Sequence, residues 1–162
     1  MEWEDYKKEI KAAVDLFEFD KEILGILKNS IKNNQKIFVG GNGGSAAIAM
    51  HYACDLSKGA TKNWSKNFER YKVICLSSNI SYITAISNDE DYEDVFKQQL
   101  INLASPNDIL IMISSSGNSP NIVRAVEWAN AHRMITIGLS GFSGGKLKQL
   151  CQYSGHVNHN AY

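Results

Sequence analysis

Residues 37–51 read IFVGGNGGSAAIAMH, an apolar run that breaks into four glycines and a serine before an alanine-rich segment. A chain gives up so many side chains at one bend for one of two reasons. Either the bend is a plain tight turn, or backbone amides there must approach a ligand closely. The flanking pattern bears on the choice: a short β-branched run before the glycines predicts a buried strand, and the residues after them predict a helix.

The same alternation continues outward. KIFVG (36–40), YKVICLS (71–77), ILIMISS (109–115) and MITIGLS (134–140) are short apolar runs with the texture of buried parallel strands. Helical patterns fall between them at 45–57, 91–103 and 120–132. The last has Ser119 in the N-cap position and Pro120 at its first helical residue. GGKLKQL (144–150) suggests a further short helix and YSGHVN (153–158) a fifth strand. Strand-then-helix repetition predicts α/β architecture, a three-layer αβα sandwich with a central parallel sheet. The expected organisation is one domain over 1–162, with residues 1–34 as a helical N-terminal arm. In that arm Tyr6, Ile10, Val14 and Phe17 form one apolar stripe, and Asp20 stands where it can cap a second helix over 21–33. Two readings of the arm stay open: it joins copies of the chain through Trp3, Tyr6 and Phe17, or it packs on its own domain.

Composition narrows the class. Lys plus Arg equals Asp plus Glu at 17 each, so the net charge is zero and no basic block marks a nucleic-acid partner. No apolar run approaches the length of a membrane span, and the N-terminal MEWEDYKKEIK is charged rather than apolar. Cys54, Cys75 and Cys151 are odd in number and far apart, which fits a reducing compartment and small hydrophobic side chains. The expectation is a cytoplasmic protein that binds neither nucleic acid nor membrane.

Ligands of open parallel sheets bind beyond the carboxyl ends of the strands. Three loops are expected at that edge: GGNGGS (40–45), SSSGNS (114–119) and ISNDEDY (86–92), the last placing Asn88 and Asp89 just before a helical stretch. Glycines, hydroxyls and free helix N-terminal amides together suit a phosphate group. A Walker loop is excluded because no Lys-Ser or Lys-Thr follows the glycines. A dinucleotide fingerprint fits nominally at Gly41, Gly43 and Ala46, but the second strand ends in LSSN, with no acidic residue to hold a ribose. On the helix after the glycines, His51 and Asp55 are four residues apart and share a face. Such a pair can chelate a divalent metal or act as a base and its neighbour; alternatively His51 packs inside and Asp55 is a surface charge. His132, His156 and His159 have no comparable setting and read as surface residues.

Taken together, GNGGSAAIAMHYACDL (41–56), ISNDEDYEDVF (86–96), ISSSGNSPNIVRAVEWA (113–129) and IGLSGFSGGKL (137–147) resemble, in the same order, the sugar isomerase (SIS) domain family. Within it the resemblance is to the sedoheptulose 7-phosphate, or phosphoheptose, isomerases. It implies a homotetramer that binds a phosphorylated seven-carbon sugar and interconverts ketose and aldose through an enediol, supplying heptose for bacterial surface lipopolysaccharide or capsule. By position, Asn42, Gly43, Gly44, Asp55, Asn88 and Asp89 would contact substrate, and Ser114, Ser115, Ser116 and Ser119 would hold the phosphate. His51 and Asp55 would be zinc ligands, with Asp55 also the catalytic base. The family usually has Glu in place of Asp55. Its members also continue into a C-terminal helix whose Gln and His complete the zinc site, whereas this sequence stops at VNHNAY (157–162). That helix is expected to be absent from this chain. The alternative is a non-catalytic SIS module that binds a sugar phosphate as a regulator or scaffold.

Overall fold

The computed structural model describes residues 2–60 and 70–159; residues 61–69 and both ends of the expected 1–162 domain lie outside it. The chain begins with helix α1 (Trp3–Asp15), strand β1 (Phe17–Phe19) and helix α2 (Glu22–Lys32). Strand β2 (Lys36–Gly41) leads into helix α3 (Gly43–Cys54), which continues as a widened helical turn, Asp55–Gly59. Then come β3 (Lys72–Cys75), α4 (Ile80–Asp89), a short 3₁₀ turn (Tyr92–Asp94) and α5 (Lys97–Leu103). The remainder is β4 (Ile109–Ser114), α6 (Pro120–Ala131), β5 (Ile135–Ser140), α7 (Gly145–Leu150) and β6 (Tyr153–Val157).

Six strands form one sheet in the order β1-β6-β5-β4-β2-β3. All neighbours are parallel except β1, which runs antiparallel to β6. The two-residue period of a strand divides the core cleanly. From β2 and β4, Phe38, Leu110 and Met112 enter one layer with Phe96, Leu100, Ile122, Val126 and Leu147, contributed by the segment around α5, α6 and α7. Ile37, Val39, Ile109, Ile111 and Ile113 enter the opposite layer with Ile23, Leu27 and Ala49 from α2 and α3. The expected three-layer αβα sandwich is therefore present, with a mostly parallel central sheet.

Three expectations need correction. The N-terminal arm is not wholly helical, because Phe17–Phe19 pairs with Gly155–Val157 as an edge strand. Helical spacing brought Phe17 into the α1 stripe, but pairing with β6 satisfies backbone groups that a continued helix would take from its own chain. Asp20 does not cap α2: its carboxylate accepts from the Ser154 amide at 2.6 Å, which ties the arm to β6. The helix expected over 91–103 is broken into the 3₁₀ turn and the shorter α5, while an unread helix, α4, covers 80–89. Asn88 and Asp89 therefore close one helix before the next turn begins.

At the amino ends of the central strands, the buried Asp108 joins β2 to β4. One oxygen accepts from the Lys36 amide at 2.8 Å, and the other accepts from the Ser105 amide at 2.9 Å. The Lys36 ammonium lies 3.3 Å from the second oxygen. Deleting this carboxylate would leave two backbone donors unpaired, so Asp108→Ala is expected to lower unfolding free energy by about 2–3 kcal/mol in urea denaturation. A loss below about 0.5 kcal/mol would remove Asp108 from this role.

Candidate functional site: a crevice between two strand ends

The sheet order fixes where a ligand site belongs. From β2 the chain goes outward to β3 at the sheet edge, then returns to β4 on the other side of β2. The connections thus leave in opposite directions at the carboxyl ends of β2 and β4, opening a crevice where no loop crosses. The glycine loop leaves β2 there and the serine loop leaves β4. Their residues Asn42, Ser45, Ser114, Ser115, Ser116 and Ser119, with Ile113, line a cavity of 150 Å³. A larger groove of 670 Å³, bordered by Asn33, Lys36, Lys72 and Asp108, lies at the amino-end edge. Its Lys36 and Asp108 are engaged in strand-end pairing, and the helix N-termini of α3 and α6 are not there. The smaller cavity is therefore the candidate site.

Both loops have the geometry of an anion cradle. Asn42 occupies the N-cap position of α3 and Ser119 that of α6, but neither side chain caps its helix. Neither side chain therefore takes up first-turn amides, although in α6 Pro120 has no N–H and the Ile122 amide is already held by the Ser119 carbonyl at 3.1 Å and Asn121 Oδ1 at 3.0 Å; each helix turns its positive end toward the crevice. Gly43 has φ +52° and Gly117 φ +65°, the left-handed region that side chains rarely adopt. A side chain on Gly117 would also collide with the Gly144 carbonyl. The cavity lining contains hydroxyls and an amide but no charged side chain.

Each loop is braced from behind. Ser77 Oγ accepts from the Gly41 amide at 3.0 Å and donates to the Gly41 carbonyl at 2.8 Å. The serine loop rests on residues 141–147: Gly141 donates to the Ser115 carbonyl at 3.0 Å, and Leu147 to the Gly117 carbonyl at 2.9 Å. Ser114 Oγ accepts from the Gly117 amide at 3.2 Å, so its own hydrogen remains free to donate. Tyr92 reaches the glycine loop, its hydroxyl donating to Asn42 Oδ1 at 3.1 Å. Asn121, buried at the start of α6, pairs its amide with that of Asn42 at 2.9 Å in both directions.

Of the expected site residues, Asn42 and the four serines meet in one cavity, with Gly43 and Gly44 in the first turn of α3 beside it. His51 and Asp55 lie farther along the same helix, both largely exposed, with His51 Nε2 3.5 Å from Asp55 Oδ2. The interior reading of His51 is thus excluded. Asn88 and Asp89 are exposed at the end of α4, bonded to each other at 2.8 Å and outside the cavity lining. Sequence reading missed Ser45, Tyr92 and Asn121. Ser45 belongs to the quoted glycine loop and was legible there. Tyr92 and Asn121 act across roughly 50 and 80 residues of chain, which no local pattern records. His156, expected at the surface, is buried and pairs through Nδ1 with Ser140 Oγ at 3.1 Å, because β1 makes β6 an interior strand. Burial pushes the Cys151 thiol up to about 12, whereas Cys54 is exposed rather than packed as a small hydrophobe.

Zinc can be tested against the His51–Asp55 pair. Two ligands on a tetrahedral zinc, with bonds of about 2.0–2.1 Å, stand about 3.3–3.4 Å apart. The observed 3.5 Å fits that separation, so the pair suits two positions of such a site. Among the described residues, no third His, Cys, Asp or Glu joins them.

A doubly wound α/β domain with an uncharged polar cavity at its switch point is the class that fold and site define. Comparisons with known proteins narrow this class. The model of the SIS domain family matches residues 6–141. Phosphoheptose isomerase 1 of Campylobacter jejuni is 36% identical over 153 residues, covering 94% of this chain and 80% of that protein. The phosphoheptose isomerase of Helicobacter pylori is 41% identical over 140 residues, covering 86% and 71%. Among solved structures, the phosphoheptose isomerase from Francisella tularensis superposes with a TM-score of 0.84 at 28% identity, covering 98% of this chain and 84% of that one. The Neisseria gonorrhoeae enzyme gives 0.77 at 30% identity, covering 98% and 79%. The chain belongs to the SIS domain family, among the phosphoheptose isomerases.

Arg124 offers a test of how the site is held. Its guanidinium contacts Asp94 at 3.0 Å, Asp91 at 3.6 Å and Glu93, on both sides of Tyr92. The Lys97 ammonium and then Arg124 hold the Asp94 carboxyl below its usual value. A lowered native value adds stability above the unfolded value of about 3.9 and loses it as pH falls through the native one. Arg124→Gln is therefore expected to unfold at lower urea than the wild type at pH 7, with the gap closing below about pH 4. A gap independent of pH would refute the ionic origin.

Proposed function

We propose that this protein is an isomerase that converts sedoheptulose 7-phosphate into D-glycero-D-manno-heptose 7-phosphate. The observation that carries this reading is the meeting of the Asn42 loop and the four serines in one crevice of a chain that belongs with the phosphoheptose isomerases. The serine hydroxyls, the first-turn amides of α3 and the positive ends of α3 and α6 bind the phosphate. Fixed dipoles do this without a lysine or arginine in the cavity lining, anchoring one end of the sugar.

The reaction moves a proton between C1 and C2. A base removes the C1 proton, the C2 carbonyl oxygen takes up charge and then a proton as the enediol forms, the C1 hydroxyl gives up its proton to become the aldehyde oxygen, and a proton returns at C2. Asp55 is the base in this reading: its carboxylate is exposed on the widened turn that continues α3, the helix whose first turn faces the phosphate. His51 Nε2 lies 3.5 Å from that carboxylate. Zinc, held by His51 and Asp55 with ligands beyond this pair, would supply Lewis-acid polarisation of the substrate oxygens. Asn88 and Asp89 would bind the sugar hydroxyls farther from the phosphate. The heptose product would serve bacterial surface polysaccharide, and the reaction would take place in the cytoplasm. No helix among the described residues is long and apolar enough to cross a membrane.

A homotetramer completes the reading. Helix α1 buries no residue, and Trp3, Tyr6, Ile10 and Val14 are exposed along it, Val14 at 68%. Ile48 and Met50 on α3 and Ile80 at the start of α4 add further exposed apolar surface. Such surfaces suit contacts between copies of the chain. Pairing Ile10→Glu with Val14→Glu is expected to lower the sedimenting mass below that of four chains without loss of the circular-dichroism signal. An unchanged mass would place the contacts elsewhere.

Activity is tested by incubating the protein with sedoheptulose 7-phosphate, with and without added zinc, and following the aldose. Asp55→Asn is expected to reduce kcat by at least about a hundredfold while phosphate affinity stays within about twofold. Unchanged turnover would exclude Asp55 as the base.

A further inference from the structure

Asn42 is held by partners that decide which of its polar atoms remains free. Its Oδ1 accepts from Asn121 Nδ2 at 2.9 Å and from the Tyr92 hydroxyl at 3.1 Å. Its Nδ2 donates to Asn121 Oδ1 at 2.9 Å. A side-chain amide offers two lone pairs on oxygen and two hydrogens on nitrogen. The oxygen is therefore fully used, while one N–H has no partner among the described residues.

The orientation is inherited from the backbone. Asn121 Oδ1 also accepts from the Ile122 amide at 3.0 Å, an N–H it shares with the Ser119 carbonyl at 3.1 Å, and reversing Asn121 would set its NH₂ group against that backbone donor. That bond sets which end of the Asn121 amide is oxygen, and the reciprocal pair then sets Asn42. Tyr92 supplies the second donor from a segment clamped to the same helix. Arg124, three residues beyond Asn121 on α6, binds Asp91, Glu93 and Asp94 around it. Reversing the Asn42 amide would break the reciprocal pair and bring its NH₂ group against the Asn121 NH₂.

Resting on the isomerase reading, we propose that Tyr92 and Asn121 are positioning residues that lock Asn42 as a hydrogen-bond donor toward an acceptor-only oxygen of the sugar phosphate. A ketose carbonyl and a phosphoryl oxygen both meet that requirement, whereas a group that can only donate does not. If the carbonyl is the acceptor, the donor strengthens its bond as charge grows there in the enediolate. Asn42 then contributes to the chemical step as well as to binding.

The test combines steady-state kinetics with side-chain amide NMR of the full chain. Tyr92→Phe removes only the hydroxyl, and loss of one neutral hydrogen bond is expected to lower kcat/KM about fivefold. It should also move the Asn42 NH₂ resonances while the melting temperature stays near that of the wild type. Asn121→Asp, which sets a carboxylate oxygen against Asn42 Oδ1, is expected to cost more than about tenfold. Inhibition by inorganic phosphate separates the two acceptors. A matching rise in its inhibition constant assigns the phosphoryl oxygen, whereas an unchanged constant with lowered kcat assigns the carbonyl. Either result supports the proposal. A kcat/KM for Tyr92→Phe within twofold of the wild type, or unmoved Asn42 resonances, would overturn it. Should the wild type fail to turn over the heptose, the isomerase reading falls. The Asn42 resonances then decide alone: movement on adding sedoheptulose 7-phosphate supports donation, and no movement overturns it.

Discussion

The parallel pairing of β2 with β4 is the constraint on which the rest of this molecule depends. Both strands are buried on their two faces, and their register sets Gly41 opposite Ile113 at the carboxyl end. Because β3 lies beyond β2 while β5 lies beyond β4, the chain must leave these two neighbours in opposite directions. A gap between their outgoing loops follows from that winding. Helices α3 and α6 begin at its two rims, so two positive helix ends converge on one small volume. The carboxylate of Asp108 closes the opposite ends of the same strand pair, and so stabilises the geometry from the side away from the ligand.

Charge is distributed in keeping with this arrangement. The cavity lining is neutral and polar, and an anion there meets backbone dipoles and hydroxyls that are already oriented. Ionisable groups stand outside it: the exposed His51 and Asp55 toward the far end of α3, and the Arg124 cluster behind Tyr92. Arg124 lies on the same helix as Asn121, so the segment carrying Tyr92 and the amide pair beside it share one rigid support. A surface ion cluster that contributes little to stability alone can still matter by where it places a hydroxyl.

The apolar outer surface of α1, α3 and α4 belongs to the same physical account. Helix α3 is apolar nearly all round, yet only Ala49 of its twelve residues is buried within the chain. A helix of that composition is ordinarily covered on more than one side. The proposed assembly would cover the helix whose first turn borders the cavity and whose far end leads to the His51–Asp55 pair.

The sequence by itself determined the sheet, the alternation of layers, and the two loops that became the cavity. Each of these rests on short-range chemistry: two-residue alternation in strands, Pro120 at a helix start, glycines at a bend. Residue spacing likewise placed His51 and Asp55 on one helix face. Only the tertiary structure decided that Phe17–Phe19 is an edge strand, that His156 is interior, and that Asn88 and Asp89 end a helix outside the cavity lining. It also brought Tyr92 and Asn121 to Asn42. Those features depend on strand order and on contacts between distant segments, where hydrogen-bond partners are chosen by proximity after folding. Local periodicity carries no record of that choice, because the same side chain serves equally well at a surface or in a pair until its neighbour arrives.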